Sequence, residues 1–199
     1  MKDYKVLELP FNMPFSDLDK RQAALTFEWF QKSIPQRLEI LFNAARSEQP
    51  EIADKLDYSP ESLVLLGSWF TKHVHTRDKT KEELEEEESK ITNPVHRQIW
   101  QLTVTKWIWT METTSLCWDI GIYFGEVFRA KFESVKWTYF TKPKNSVDVN
   151  RPILTGFGSP MNPFRLMMVF AAKIHDKKAG PEELMRLYKV WLGNMKLKE

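Results

Sequence analysis

Three polar residues recur at helical spacing in an otherwise apolar part of the chain. Asp119, Tyr123 and Glu126 stand at positions i, i+4 and i+7, so a helix places them on one face. At a rise of 1.5 Å per residue, the backbones of the two acids lie about 10 Å apart. Their side chains can then converge on a substrate or a metal. The spacing fits the carboxylate pair of an inverting hydrolase, in which one acid protonates the leaving group and the other activates a water.

Two other interpretations of this polar stripe remain open. The three side chains could contact a partner protein directly. Alternatively, Asp119 and Glu126 form ion pairs with arginine or lysine from a hairpin or from helix ends, which is the usual role of a partly buried acid in a helical bundle. Gly121 and Gly125 lie four residues apart in the same segment. Because glycine is unfavourable in a helix, both predict the close approach of another element.

The remaining reactive residue types are scattered along the chain. Cys117 lies among apolar residues, where a thiol behaves as a small hydrophobic group and not as a nucleophile. The histidines show no metal-ligand spacing, and the seven glycines form no phosphate-binding loop. We therefore expect no metal and no cofactor. The four histidines are His73, His75, His96 and His175.

Charge is divided unevenly along the sequence. Residues 1–126 contain 15 basic and 21 acidic residues, whereas residues 127–199 contain 14 and 6. Seven of these acidic residues lie in residues 78–90. A run of this kind is either a solvated helix or a mobile loop. It can also recognise a basic partner, because complementary charge accelerates association. We therefore take Glu82, Glu85 and Glu86 as partner-binding candidates.

The basic part of the chain contains an aromatic hairpin. Residues 135–141 alternate and are rich in β-formers, and residues 151–157 form a second strand candidate. Trp137 and Tyr139 are interleaved with basic residues there. Basic residues with aromatic neighbours can bind nucleic acid, so a nucleic-acid-binding module is an alternative function. The excess of basic residues can equally neutralise the acidic part of the same chain.

Periodicity and helix-start signals predict a mainly α (α+β) fold. We expect a helical bundle of about six or seven helices, with a small antiparallel β-hairpin inserted near residues 135–157. Asn93-Pro94 starts a helix that is apolar on several sides as far as Met111, and we expect it to be the buried central helix. The chain of 199 residues predicts a single domain over residues 1–199, with a charged segment at 78–92.

The composition of the chain argues against several classes of protein. The chain is 42% hydrophobic and 28% charged, which is typical of a globular protein and not of a disordered one. One cysteine cannot form an internal disulfide or a zinc ribbon. The first residues lack the apolar run of a secretory signal, and no stretch approaches the length of a membrane span. We expect a cytoplasmic protein that does not contact membranes.

The order of several motifs carries a family resemblance. The motifs are SPESLVLLGSWF (59–70), DIGIYFGEVF (119–128), Trp137, RPILTGF (151–157) and NPF (162–164). This order resembles that of small, uncharacterised bacterial helical proteins. Some proteins of this style are suspected immunity proteins, which neutralise a toxin by binding it. The resemblance implies a partner protein, such as a toxin, and carries no catalytic residues.

Taken together, these observations favour a non-enzymatic binding protein of the immunity or antitoxin-like type. A hydrolase using Asp119 and Glu126 and a nucleic-acid-binding module are the alternatives, and the oligomeric state is left open. The predicted partner-binding residues are Asp119, Tyr123, Glu126, Glu82, Glu85, Glu86, Trp137 and Tyr139.

Overall fold

Helices dominate the computed structural model, which describes residues 4–195. It is 57% helical, with eight α-helices and two small antiparallel sheets of two strands each, so the prediction of a mainly helical fold with a β-hairpin is confirmed. This is one or two helices more than expected; one of the eight has only four residues, and another lies in the charged segment. The elements are α1 (Lys20–Glu48), α2 (Pro50–Ala53), α3 (Ser62–Thr71), β1 (Thr76–Asp78), α4 (Lys81–Ser89), α5 (Pro94–Thr103), β2 (Trp107–Trp109), α6 (Met111–Lys131), β3 (Lys136–Thr138), β4 (Ile153–Thr155), α7 (Pro163–His175) and α8 (Glu183–Gly193).

The buried central helix is α6, and not the segment from Asn93 to Met111. Fourteen of the 21 residues of α6 are buried, and the helix packs against both α1 and α7. The prediction for the earlier segment was wrong: its helix, α5, ends at Thr103 and has no buried residue, and Trp107–Trp109 form strand β2. Apolar residues around a helix favour burial, but the tertiary structure buries α6 instead.

Helix α1 is continuous for 29 residues, although Pro35 lies inside it. The Asp19 side chain accepts a hydrogen bond from the Gln22 backbone, and the Gln22 side chain accepts one from the Asp19 backbone. This reciprocal arrangement satisfies two donors at the helix start. The helix passes along α6 and brings Arg37 to the middle of the core, where its side chain is buried.

The predicted β-hairpin is present as β3 and β4, which pair antiparallel with Trp137 opposite Leu154. Gly125 of α6 lies directly under this pair. A Cβ atom on Gly125 would stand 2.5 Å from the Trp137 ring and 3.1 Å from Leu154. Gly121 likewise lies against Phe164 of α7. Both glycines therefore allow the close approach that their positions predicted.

A second small sheet supports an excursion of the chain that we call the arm (residues 76–109). Strands β1 and β2 pair antiparallel, with Arg77 opposite Ile108, and α4 and α5 lie between them in sequence. Of the two alternatives for the charged segment, the structure contains the helix: Thr80 and Glu83 form a capping box at the start of α4. No helix within residues 4–195 is long and apolar enough to cross a membrane.

Candidate functional site

Asp119 lies at a buried ionic centre. Its exposed fraction is 0%. Arg37 donates from Nε and Nη2 to its two carboxylate oxygens, at 2.7 and 2.6 Å, and the Tyr4 hydroxyl also donates to it. Burial raises the pKa of Asp119 to about 6, and the hydrogen bonds and charge of Arg37, with the hydrogen bond from Tyr4, act in the opposite direction. The carboxylate ties α1, α6 and the start of the chain together.

This geometry does not support a hydrolase that uses Asp119 and Glu126. A substrate cannot reach a carboxylate that has no exposed surface and whose oxygens are occupied by Arg37 and Tyr4. Glu126 has different partners and does not share a site with Asp119. Of the alternatives raised by the sequence, ion pairing is the one observed, with Arg37 of α1 and Arg129 of α6 as the cations.

Tyr123 is also removed from the surface. Its exposed fraction is 0%, and its hydroxyl bonds with Ser62 Oγ at 2.6 Å and accepts from the Tyr58 backbone at 3.0 Å. Burial raises the pKa of Tyr123 to about 12. Asp119 and Tyr123 therefore expose no surface to a partner in this conformation. Their polar atoms are satisfied inside the core, as buried polar groups generally are.

Glu126 and Trp137, both predicted site residues, come into direct contact. Trp137 donates its indole Nε1 hydrogen to Glu126 Oε1 at 2.7 Å. Arg129 donates from Nη1 to both oxygens of the same carboxylate, at 2.7 and 2.8 Å. Arg129 and Trp137 line a groove of about 700 Å³ between α1 and β3. Glu126 therefore positions a guanidinium and an indole beside an open groove.

The aromatic side chains of the hairpin face inward. Trp137 is 8% exposed and packs edge-on against Phe30, at 4.9 Å between ring centroids. Tyr139 packs against Phe27 at 5.0 Å. Base stacking needs accessible ring faces, so these residues do not form a stacking platform. The hairpin geometry gives no support to the nucleic-acid-binding alternative.

The predicted acidic candidates lie on α4 and are exposed. Glu82, Glu85 and Glu86 all face solvent. However, four of the six glutamates of α4 form ion pairs with basic residues of the arm, so much of the acidic charge is neutralised locally. Exposed pairs of this kind contribute little stability. The pairs are Arg77–Glu83 at 2.6 Å, Lys79–Glu87 at 2.7 Å, Lys81–Glu85 at 3.3 Å and Lys90–Glu86 at 2.8 Å.

An exposed apolar face that the sequence did not predict lies on α5. Val95, Ile99 and Leu102 are 61%, 53% and 88% exposed, and their spacing of four and three residues aligns them along the helix. Arg97 and Gln101 lie on the opposite side, toward α4, where Gln101 donates to Glu88 at 2.8 Å. The sequence shows the helical spacing of these three residues, but that spacing predicted burial in the core and not an exposed face.

The other reactive side chains form no site. Cys117 is buried, and burial raises the pKa of its thiol well above the usual range, which suppresses the reactive thiolate. Among residues 4–195, no three histidine, cysteine, aspartate or glutamate side chains are grouped so that they could hold a metal ion.

Comparisons of the chain with protein-family models, curated proteins and solved structures found no match. The arm presents an exposed apolar face, and the groove presents Arg129 and Trp137.

Proposed function

We propose that the chain is a non-enzymatic binding protein that neutralises a partner protein, as an immunity or antitoxin-like protein does, and that the arm is its contact surface. The observation that supports this proposal is the unpartnered face of α5, with Leu102 exposed to 88%. Single exposed apolar residues are common on protein surfaces, whereas an aligned row of them marks an interaction site.

The apolar residues of the two helices in the arm are exposed or only partly buried. Neither α4 nor α5 contains a buried residue, although both helices have well-formed amino-terminal caps at Thr80 and Asn93. The β1–β2 pairing joins the two ends of the arm, and Gln101 of α5 donates to Glu88 of α4. A preformed helix that presents three apolar side chains can fill a pocket or groove of a partner with little loss of conformational entropy.

A protein is the partner class that suits this surface best. Residues 76–109 contain seven acidic and six basic residues, so the arm has no excess of basic charge to attract the phosphates of nucleic acids or anionic lipids. Toward a protein, the exposed acids Glu82, Glu85 and Glu86 add electrostatic selectivity at the rim of an apolar contact. We therefore place the apolar residues of α5 at the centre of the interface and the acids of α4 at its edge.

Replacing Leu102 by glutamate will weaken partner binding without unfolding the chain. The side chain is exposed, so the substitution costs little stability, whereas a charge at the centre of an apolar contact removes about 2 kcal/mol or more of binding free energy. We expect a dissociation constant at least about 30-fold weaker, measured by calorimetry with the purified product of the neighbouring gene, together with loss of growth protection on co-expression.

Leu25 of α1 offers the matched control. It is 56% exposed and lies outside the arm, so Leu25→Glu introduces the same change on another surface and is expected to leave binding and protection intact. Equal binding by Leu102→Glu and the unaltered chain would show that the arm is not the contact surface. If no product of a neighbouring gene is toxic or binds the chain, the neutralising function itself is refuted.

A further inference from the structure

The groove between α1 and β3 has the shape of a channel and not of an enclosed pocket. Its volume is about 700 Å³, within the range of known ligand sites. One wall comes from α1 and the other from the end of α6 and from β3. The lining residues are Gln31, Ile34, Pro35, Arg129, Glu133, Val135, Lys136 and Trp137.

The second wall is the edge of a strand. Val135, Lys136 and Trp137 are consecutive and all line the groove, whereas a groove over one face of a sheet would contact only alternate residues. Among residues 4–195, β3 pairs with β4 alone. One edge of β3 is therefore unpaired and borders the groove, and an unpaired edge is a template for an added strand.

Backbone groups of Trp137 face that edge. The Lys136 carbonyl points toward β4, where it accepts from Thr155 Oγ1 at 3.3 Å. Because the backbone groups of successive strand residues alternate in direction, the N–H and C=O of Trp137 point to the opposite edge. An extended peptide can exchange both hydrogen bonds of an antiparallel pair with this residue.

The helical wall contains a proline. Pro35 lies inside α1 and has no N–H, so the carbonyl of Gln31, four residues earlier, lacks its usual helical donor. Gln31 and Pro35 both line the groove. The free strand edge of β3 thus lies opposite the part of α1 that contains the proline.

The charges of the lining residues favour an acidic occupant. Arg129 and Lys136 are basic, and Glu133 is the one acid among the lining residues. Glu126 compensates the charge of Arg129, whereas Lys136 forms no ion pair within residues 4–195 and is the cation that attracts an acidic occupant. Glu126 holds Arg129 through Nη1, which orients the guanidinium while Nε and Nη2 donate to no other group within residues 4–195. A carboxylate of the occupant can accept from these donors, and guanidinium–carboxylate pairs are among the stronger hydrogen-bonded contacts.

We propose that this groove binds an extended, acidic segment of a partner protein by strand addition to β3. The main chain of the segment pairs with Trp137, acidic side chains on one face contact Lys136, and the side chains on the other face lie toward Ile34 and Arg129. The site lies outside the arm, so the test of this proposal is independent of the test of the proposed function.

A labelled hexapeptide, acetyl-(Glu-Val)₃-amide, tests the proposal by fluorescence anisotropy with the full chain. We expect a dissociation constant below about 1 mM. The same peptide N-methylated at all six residues cannot donate strand hydrogen bonds, and (Lys-Val)₃ reverses the charge. Both are expected to bind at least tenfold more weakly. Lys136→Glu should weaken binding of the acidic peptide at least tenfold.

Lys189 provides the control for charge, because it is exposed on α8, away from the groove. Lys189→Glu makes the same charge change and should leave the affinity unchanged. Equal affinity of the N-methylated peptide would overturn strand addition and indicate a site for carboxylates alone. Absence of binding up to 1 mM, or an equal loss with Lys189→Glu and Lys136→Glu, would overturn the site.

Discussion

Replacing Arg37 by methionine will lower the free energy of unfolding by about 3–5 kcal/mol, because the Asp119 carboxylate is then buried without a countercharge. The two side chains form a bidentate pair at 2.6 and 2.7 Å, and their exposed fractions are 5% and 0%. Urea unfolding at neutral pH measures the loss. A cost below about 1 kcal/mol would show that water or another group satisfies Asp119.

The cost of Arg37→Met should depend on pH. The pKa of Asp119 already lies near 6 in the folded chain, above its ordinary value of 3.8, because of burial. Removal of Arg37 takes away groups that lower this pKa, so the carboxyl of the variant becomes protonated at a still higher pH. The uncompensated charge then disappears as the pH falls. We expect the variant to lose more stability at pH 8 than at pH 5.

A double replacement separates the ion pair from simple packing. Arg37→Met combined with Asp119→Leu replaces the pair by apolar groups of similar size, and such exchanges are often neutral or stabilising. We expect the double variant to recover at least 2 kcal/mol of the loss caused by Arg37→Met. Lys32→Met is the control on the same helix: Lys32 and Glu28 are also 2.6 Å apart but are 74% and 57% exposed, so the cost should be below about 0.5 kcal/mol.

Replacing Gly67 by alanine will destabilise the chain by about 3 kcal/mol, at the upper end of the usual cost of overpacking. A Cβ atom on Gly67 of α3 would overlap the carbonyl oxygen of Pro181, just before α8. This is a backbone atom, so the two helices must move apart. The gain of about 1 kcal/mol in helix propensity is smaller than this cost. Thermal unfolding should show a decrease in Tm of roughly 6–12 °C.

Gly180 supplies the control in the same neighbourhood. No atom lies within 4 Å of a Cβ built on it, so Gly180→Ala should change stability by less than about 0.5 kcal/mol or raise it slightly by restricting the unfolded chain. Equal stability of Gly67→Ala and Gly180→Ala would mean that α3 and α8 separate without cost. In that event the contact between them is not part of the stabilising core.

The helices and the hairpin were largely predictable because they depend on local signals. Asn93 and Asn162 cap helices that begin with proline, as their sequences indicate. The alternation of β-forming residues predicted the positions of β3 and β4. The pairing of β1 with β2 was not predictable in this way, because these strands of three residues enclose two helices and show no periodicity of their own.

The chemistry of α6 illustrates what a local pattern leaves undetermined. The spacing of Asp119, Tyr123 and Glu126 correctly indicated a polar stripe on a helix. Whether a stripe serves catalysis, binding or structure depends on what lies opposite it. For Asp119 that group is Arg37, which is 82 positions away in the chain.

By itself, the sequence determined the mainly helical class, the helix starts at Asn93 and Asn162, the β3–β4 hairpin and the close packing at Gly121 and Gly125. Only the tertiary structure decided that α6 and not α5 is the buried helix, that Asp119 is an internal ion pair, and that the arm presents an apolar face. The physical reason is that periodicity reports which residues share a face of a helix. Burial depends on which other elements cover that face, and this is a property of contacts between distant parts of the chain.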